Sequence, residues 1–269
     1  MWLPSYATPT ERFFRTLVVF FSFAVLVFLI APLFVIVPLS FSADPFFTFP
    51  VPKYSLRWYY DFFSNERWIT GIINSTITAV LTTILATTLG TMAALGLASP
   101  HFPWRRAVMA ILISPMIIPI VIVAVGSYLF YGPIGLTNTR LGLVLAHTAL
   151  ATPFVVITVT ATLSTYDTNL SRAALSLGAP PLNTFLVVTL PNIITGIISG
   201  AIFAFATSFD EVVVALFLTG AEQRTLPVQM FSGIRDQINP TIMAAATILL
   251  ALSIGLFVAL TLLTRKKTD

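Results

Sequence analysis

Long apolar runs alternate with short polar breaks along this chain. Thr16 to Leu39, Ile69 to Ala98, Ala107 to Tyr131, Leu141 to Leu163, Asn192 to Phe217 and Pro240 to Thr264 each reach the ~20 residues a helix needs to cross a hydrocarbon core. A membrane strand would instead alternate and turn about every ten residues. Six helical spans are therefore predicted, giving an all-α membrane protein. The first run is longer than the ~7 to 15 apolar residues of a signal peptide and is followed by no small-x-small site, so it reads as a retained anchor, kinked at Pro32.

The breaks divide into outer loops and inner turns. Phe41 to Trp68 mixes Asp44, Lys53, Arg57, Asp61, Glu66 and Arg67 with Tyr54, Trp58, Tyr59, Tyr60 and Trp68, a composition that favours the headgroup level. It reads equally as a docking surface for an external partner or as an interfacial helix packed on the bundle. His101 to Arg106 is a basic turn, Gly132 to Arg140 a tight one, and Gly220 to Asn239 the last loop. Even span number puts both termini on one side. With that side cytoplasmic, Arg12, Arg15, Arg105, Arg106, Arg172, Arg265, Lys266 and Lys267 lie inside, against Lys53, Arg57, Arg67, Arg140, Arg224 and Arg235 outside. The short inner turn and the span ends carry the weight of this rule. Residues 1–15 are then a cytoplasmic leader, 16–264 the permeation domain and 265–269 a cytoplasmic tail.

Composition agrees with a membrane chain and removes other classes. Hydrophobic residues make up 57% and charged residues 9%, against ~25% charged in soluble domains, and the mean hydropathy is +0.94. There is no cysteine, hence no disulfide or thiolate metal site. No metal cluster or catalytic constellation is evident: His101 and His147 are far apart, and His147 reads as a hydrogen-bonded packing residue more readily than as a ligand. The net charge of +4 is small, and nothing points to nucleic acid.

The segment Asp167 to Pro191 is too polar and proline-rich to cross in one piece. Leu170, Ala173, Ala174 and Leu177 recur at i, i+3, i+4 and i+7, which predicts a short amphipathic helix. Asp167 caps its start, Gly178 ends it, and Pro180-Pro181 opens a second short helix from Leu182 to Val188. The spacing of Arg172-Ala173-Ala174, Gly178, Val188 and Leu190-Pro191 resembles the Glu-Ala-Ala, Gly, Ile, Leu-Pro signature of inner-membrane permeases of binding-protein-dependent ABC importers. Arg172 stands in place of the usual Glu, and Val188 in place of Ile. The resemblance implies a type I importer permease (MetI-like) of six transmembrane helices with a cytoplasmic coupling helix. Arg172, Ala173, Ala174, Leu177, Gly178, Ala179, Leu190 and Pro191 would contact the ATPase.

On the fifth span, at ~100° per residue, Gly196, Gly200, Ala204 and Ser208 form a stripe of small side chains. Thr207 and Glu211 share its side, and Phe203 and Asp210 flank it. Ile198, Ala201, Ile202, Phe205, Phe209, Val212 and Val213 lie opposite. The small face suits close helix packing, here read as contact with a second permease, or a passage wall. Asp210 and Glu211 are the only carboxylates within an apolar run, where each costs on the order of 2.5 kcal/mol or more. Two readings stand: attraction of a cationic solute, for which Phe203, Thr207, Ser208, Asp210 and Glu211 are candidates, or a structural role through pairing with Arg224 or Arg235 or through capping.

Ser208-Phe209-Asp210-Glu211, Thr225-Leu226-Pro227-Val228, Ser232-Gly233-Ile234-Arg235 and Ala146-His147-Thr148 extend the resemblance to the second permease subunits of spermidine/putrescine importers. Related importers of opines, amino-phosphonates and 4-aminobutyrate share these motifs. The resemblance implies a bacterial inner-membrane subunit working with a second permease, two ATPase copies that bind the ATP and Mg, an extracytoplasmic solute-binding protein and membrane lipid. This chain contains no Gly-Lys pair, hence no phosphate loop of its own and no expected cofactor or enzyme activity. An ion-coupled carrier would show two related halves, which are absent. An intramembrane enzyme would need a catalytic constellation.

Overall fold

The computed structural model describes residues 8–99, 102–236 and 240–265. His101, Ile238, Asn239 and the Lys266-Lys267 tail lie outside the described residues. The chain is all-α: among the described residues the only strand-like feature is an isolated bridge between Ser42 and Tyr54. Two compact units are formed, one by Met1–Phe62 with Ile238–Leu249, the other by Phe63–Gln237 with Leu250–Asp269.

The first unit contains helix α1, Pro9–Ser40, which begins inside the predicted leader because Thr8 and Glu11 form a capping box and Pro9 suits the first turn. Its phenylalanines Phe13, Phe20, Phe28 and Phe34 are all exposed, as expected of a helix apolar on every side. Helix α2, Arg57–Ser64, begins in this unit, with Trp58 and Phe62 buried. Ser40 Oγ lies 2.8 Å from Tyr59 Oη, and Thr241 Oγ1 donates to Asp61 Oδ2 at 2.6 Å. The aromatic 41–68 segment is thus partly a packed structure rather than a loose loop. Helix α12, Thr241–Arg265, starts here.

The second unit is built on α3 (Glu66–Ala98), α6 (Arg140–Thr165) and α9 (Leu190–Asp210). Asn65 and Thr139 cap α3 and α6 by accepting from the Arg67 and Gly142 amides. Val155 of α6, wholly buried, is gripped from both sides. A Cβ on Gly90 of α3 would come within 2.7 Å of its Cβ, and one on Gly200 of α9 within 2.9 Å of its Cα. Only glycine lets the three backbones approach this closely. Ala86, Ala94, Ala151, Val159, Ile193 and Ala204 complete that core.

Three predicted boundaries change. The third span is two helices, α4 (Arg105–Ile117) and α5 (Ile120–Tyr131), bent by 103°. Pro119 has no amide to continue the ladder and pushes Ile118 into an extended conformation, ψ 135°. The segment from Pro181 is not a second short helix. Helix α8 (Pro181–Thr184) continues through a π-helical turn, Phe185–Thr189, into α9, so Pro181–Asp210 is one rod of 30 residues. Pro191 would clash with the carbonyl four residues back in a regular helix, and the wider turn, with the Leu190 amide donating to Phe185, relieves it. Finally, the fifth span stops at Asp210, and α10, Val213–Leu218, follows after a break. Among the described residues, four helices are long and apolar enough to cross a membrane, and the bent α4–α5 pair makes a fifth when counted as one span.

Candidate functional site

Two groups of polar residues in the second unit flank the Pro181–Asp210 rod, one at the turn before it and one at the break after it. At the first, α7 (Thr168–Ser176) is the amphipathic helix foreseen, with Asp167 accepting from the Asn169 amide at 2.9 Å. Gly178 follows in the left-handed region, φ +88°, which a side chain would oppose. No residue of α7 is buried; Arg172 and Ala173 are exposed, Ala174 and Ala179 half-buried, and Leu177 is 89% exposed. Leu190 is half-buried and Pro191 exposed in the rod itself. Ser171 Oγ sits 3.1 Å from Thr189 Oγ1, tying α7 to the base of the rod.

At the far end, Gly196, Gly200, Ala204 and Ser208 are all buried, but against α6 of the same chain. A Cβ on Gly196 would meet Thr162 Oγ1 at 2.2 Å, and one on Gly200 would meet Thr158 Oγ1 at 2.7 Å. The stripe is filled internally and serves neither as the contact with a second permease nor as an open passage wall, because α6 presents threonines whose hydroxyls fold back onto their own helix and leave room for a close approach.

The acidic pair splits. Asp210 is exposed and makes no ion pair with Arg224, Arg235 or any other described residue. Glu211, 8% exposed, turns inward, with its carboxylate accepting from the Val214 and Ala215 amides at 2.8 and 2.9 Å and so capping α10. Its other neighbour is His147 of α6, 1% exposed, with Nε2 3.4 Å from Oε2, inside ion-pair range. His147 Nδ1 lies 2.9 Å from Ser208 Oγ. Glu211 and Ser208 are thereby structural neighbours of His147, not side chains of an open face. Phe203 is 43% exposed, with its ring stacked on Phe154 of α6, Thr207 is half-buried, and with the exposed Ala206 and Asp210 they mark the more open, uncovered side of α9.

A further polar knot was not foreseen. Asn74 of α3, 3% exposed, donates to the Glu222 and Arg224 carbonyls at 2.8 and 3.1 Å and accepts from Arg140 Nη2 at 3.1 Å. Ser75 Oγ accepts from the Leu226 amide, and the Asn138 amide donates to the Leu218 carbonyl. These bonds seat the loop between α10 and α11 (Leu226–Asp236) on α3. Beside them opens a polar cleft of ≈ 410 Å³ lined by Glu66, Arg67, Thr70, Ala221, Arg224 and Gln229. Only an asparagine inside an apolar run signalled this in advance.

Residues 86–269 match the family described as binding-protein-dependent transport system inner membrane component. The chain is 31% identical to the spermidine/putrescine transport system permease protein PotC of Haemophilus influenzae, over 91% of this chain and 95% of that one. It is 33% identical to the putrescine transport system permease protein PotI of Escherichia coli, over 88% and 87%. In fold it is similar to a bacterial ABC transporter that imports the acidic polysaccharide alginate, with a TM-score of 0.73 at 17% identity, covering 99% of this chain and all of that one. This chain belongs to the family of inner-membrane permease components of binding-protein-dependent transport systems.

Proposed function

We propose that the chain is one of two permease subunits in an ATP-driven importer of a small cationic solute of the putrescine and spermidine class. The observation that carries the solute class is Asp210, an exposed carboxylate without an ion-pair partner among the described residues, on the uncovered side of α9 beside Phe203 and Thr207. A dication entering a dehydrated passage loses water at high cost, and a fixed carboxylate offsets part of it. The names of the relatives point to the same solutes.

In this reading the rod that starts at Pro181 is the moving part. The ATPase subunit holds the ATP and Mg, and its closure pushes on α7 at Arg172, Ala173, Ala174 and Leu177. The Ser171–Thr189 contact passes the push to the base of the rod. Asp210 at the other end is displaced, switching the passage between its two sides. The α4–α5 pair and α12 join the four long helices to make six spans with both termini cytoplasmic. A second permease packs on faces other than the small-residue stripe, and the polar cleft beside Arg224 lies on the side of the external binding protein.

Putrescine uptake into vesicles holding the reconstituted complex tests this, with thermal unfolding measured alongside. Asp210→Asn keeps size and hydrogen bonding but removes the charge, and should cut uptake about tenfold, the effect of ~1.4 kcal/mol, at unchanged melting temperature. Unchanged uptake refutes the solute role. A lower melting temperature, restored by also removing Arg224 or Arg235, would mark a structural pair instead.

A further inference from the structure

The interruption of α9 is not made by a helix-breaking residue type. From Ser208 to Leu218 the chain reads S-F-D-E-V-V-V-A-L-F-L, without the proline or glycine that ordinarily ends or kinks a helix. Three successive valines weaken a helix only slightly. Yet Glu211 is extended, ψ 122°, and the helix resumes two residues later.

Two sets of acceptors compete for the same donors here. In an unbroken helix the amides of Val214 and Ala215 would donate to the carbonyls of Asp210 and Glu211, four residues back. Instead both donate to the Glu211 carboxylate. That choice requires a buried carboxylate, which would ordinarily cost more than it returns unless a partner meets it. The partner comes from another helix: His147 faces Glu211 Oε2 through Nε2 and is itself held by Ser208 through Nδ1. Ser208 lies on α9 just ahead of the break, so the imidazole touches the helix and the residue that leaves it.

We propose that His147 is a positioning residue for translocation: by holding Glu211 at the start of α10 it keeps α9 from running on, and so leaves Asp210 as the last helical residue with its carboxylate on the uncovered side. The inference rests on the reading of Asp210 as the group that attracts the solute. Loss of the imidazole lets the Val214 and Ala215 amides return to backbone carbonyls and draws Asp210 into a continuous helix.

A double-mutant cycle on putrescine uptake per ATP hydrolysed, in the complete reconstituted complex, separates this role from simple packing. His147→Asn cannot reach Glu211 and should lower the ratio tenfold or more, as should Asp210→Asn. With both changes present the loss should equal that of Asp210→Asn alone, since a residue acting only through Asp210 has nothing further to lose. Losses that multiply overturn the positioning role while leaving the solute role of Asp210 intact. If Asp210→Asn has no effect, the solute reading fails and the positioning role with it, a different outcome from multiplying losses. Should His147→Asn fail to assemble, Ser208→Ala, which removes only the hydroxyl opposite Nδ1, decides on the same criterion.

Discussion

Adding one methyl group at Gly200 measures how tightly the fifth span is clamped to the fourth. The Cβ of Gly200→Ala would lie 2.7 Å from Thr158 Oγ1, 2.9 Å from Val155 Cα and 3.2 Å from Val155 Cγ1. Val155 Cα is backbone and cannot rotate aside, so α9 and α6 must part by roughly half an ångström along a seam whose atoms are in contact. Overpacking of this kind costs ~1 to 3 kcal/mol, while replacing glycine by alanine inside a helix returns about 0.8 to 1 kcal/mol. Gly96 in α3 isolates the second effect, because a Cβ there meets nothing within 4 Å. Gly96→Ala should therefore stabilise and Gly200→Ala destabilise, and their difference is the steric cost itself. Thermal unfolding of both purified variants in one detergent reads it as a gap of several degrees, at ~2 to 4 °C per kcal/mol for a chain of this size. Equal stabilisation by the two changes would show that the stripe is not packed on α6 and would reopen it as a passage wall.

Gly178→Leu forces a left-handed residue to carry a side chain at a cost of ~1 to 2 kcal/mol, with no clash because its Cβ meets open space. The assembled complex should keep its membrane insertion but lose ATP hydrolysis stimulated by the solute-loaded binding protein; normal stimulation would remove α7 from the coupling role. Asn74→Leu leaves the Glu222 and Arg224 carbonyls and the Arg140 guanidinium without their buried partner, which should lower stability by about 1 to 3 kcal/mol and expose the 219–225 loop to protease, and an unchanged cleavage rate would contradict it.

Local signals in the sequence were read correctly where the determinants are local. Helix α7 follows from its apolar repeat, the Asp167 cap and Gly178, all within one short segment. The same logic gives the helix opened by Pro181 too short a run, ending it at Val188. The helix that Pro181 opens runs on to Asp210, because Pro191 is absorbed by a π-helical turn that no propensity scale anticipates. The 103° bend at Pro119 is not legible from the apolar run that contains it, because a proline fixes where a ladder breaks and not the angle between the two pieces. The small-residue stripe was legible as a close-packing surface, whereas its partner was not, since nothing in Gly196 or Gly200 says which helix fits against them. Glu211 was the hardest case. Its role depends on His147, a residue on another helix that by itself reads as ordinary packing, and the two meet only once α6 and α9 are side by side.

The placement of the irregularities along Pro181–Asp210 bears on how such a chain could transmit work. Thirty residues at 1.5 Å each make a rod of ~45 Å, longer than the ~30 Å hydrocarbon core, so one element reaches from the α7 turn to Asp210. Between Leu190 and Asp210 the helix is regular and its buried stripe is interlocked with α6, which resists local bending. The irregularities are confined to the two ends. At the base, the π turn interrupts the regular ladder beside Thr189, the residue that Ser171 of α7 contacts. At the top, the break at Glu211 frees Asp210 from the constraint of a following turn while α10 stays packed on α5 and α6 through Val214, Ala215 and Leu218. A push at the base is then neither lost in the middle of the rod nor spread into α10. In the proposed mechanism it arrives, with α6 carried along by the interlocked stripe, at the exposed carboxylate of the span, whose place at the break His147 sets.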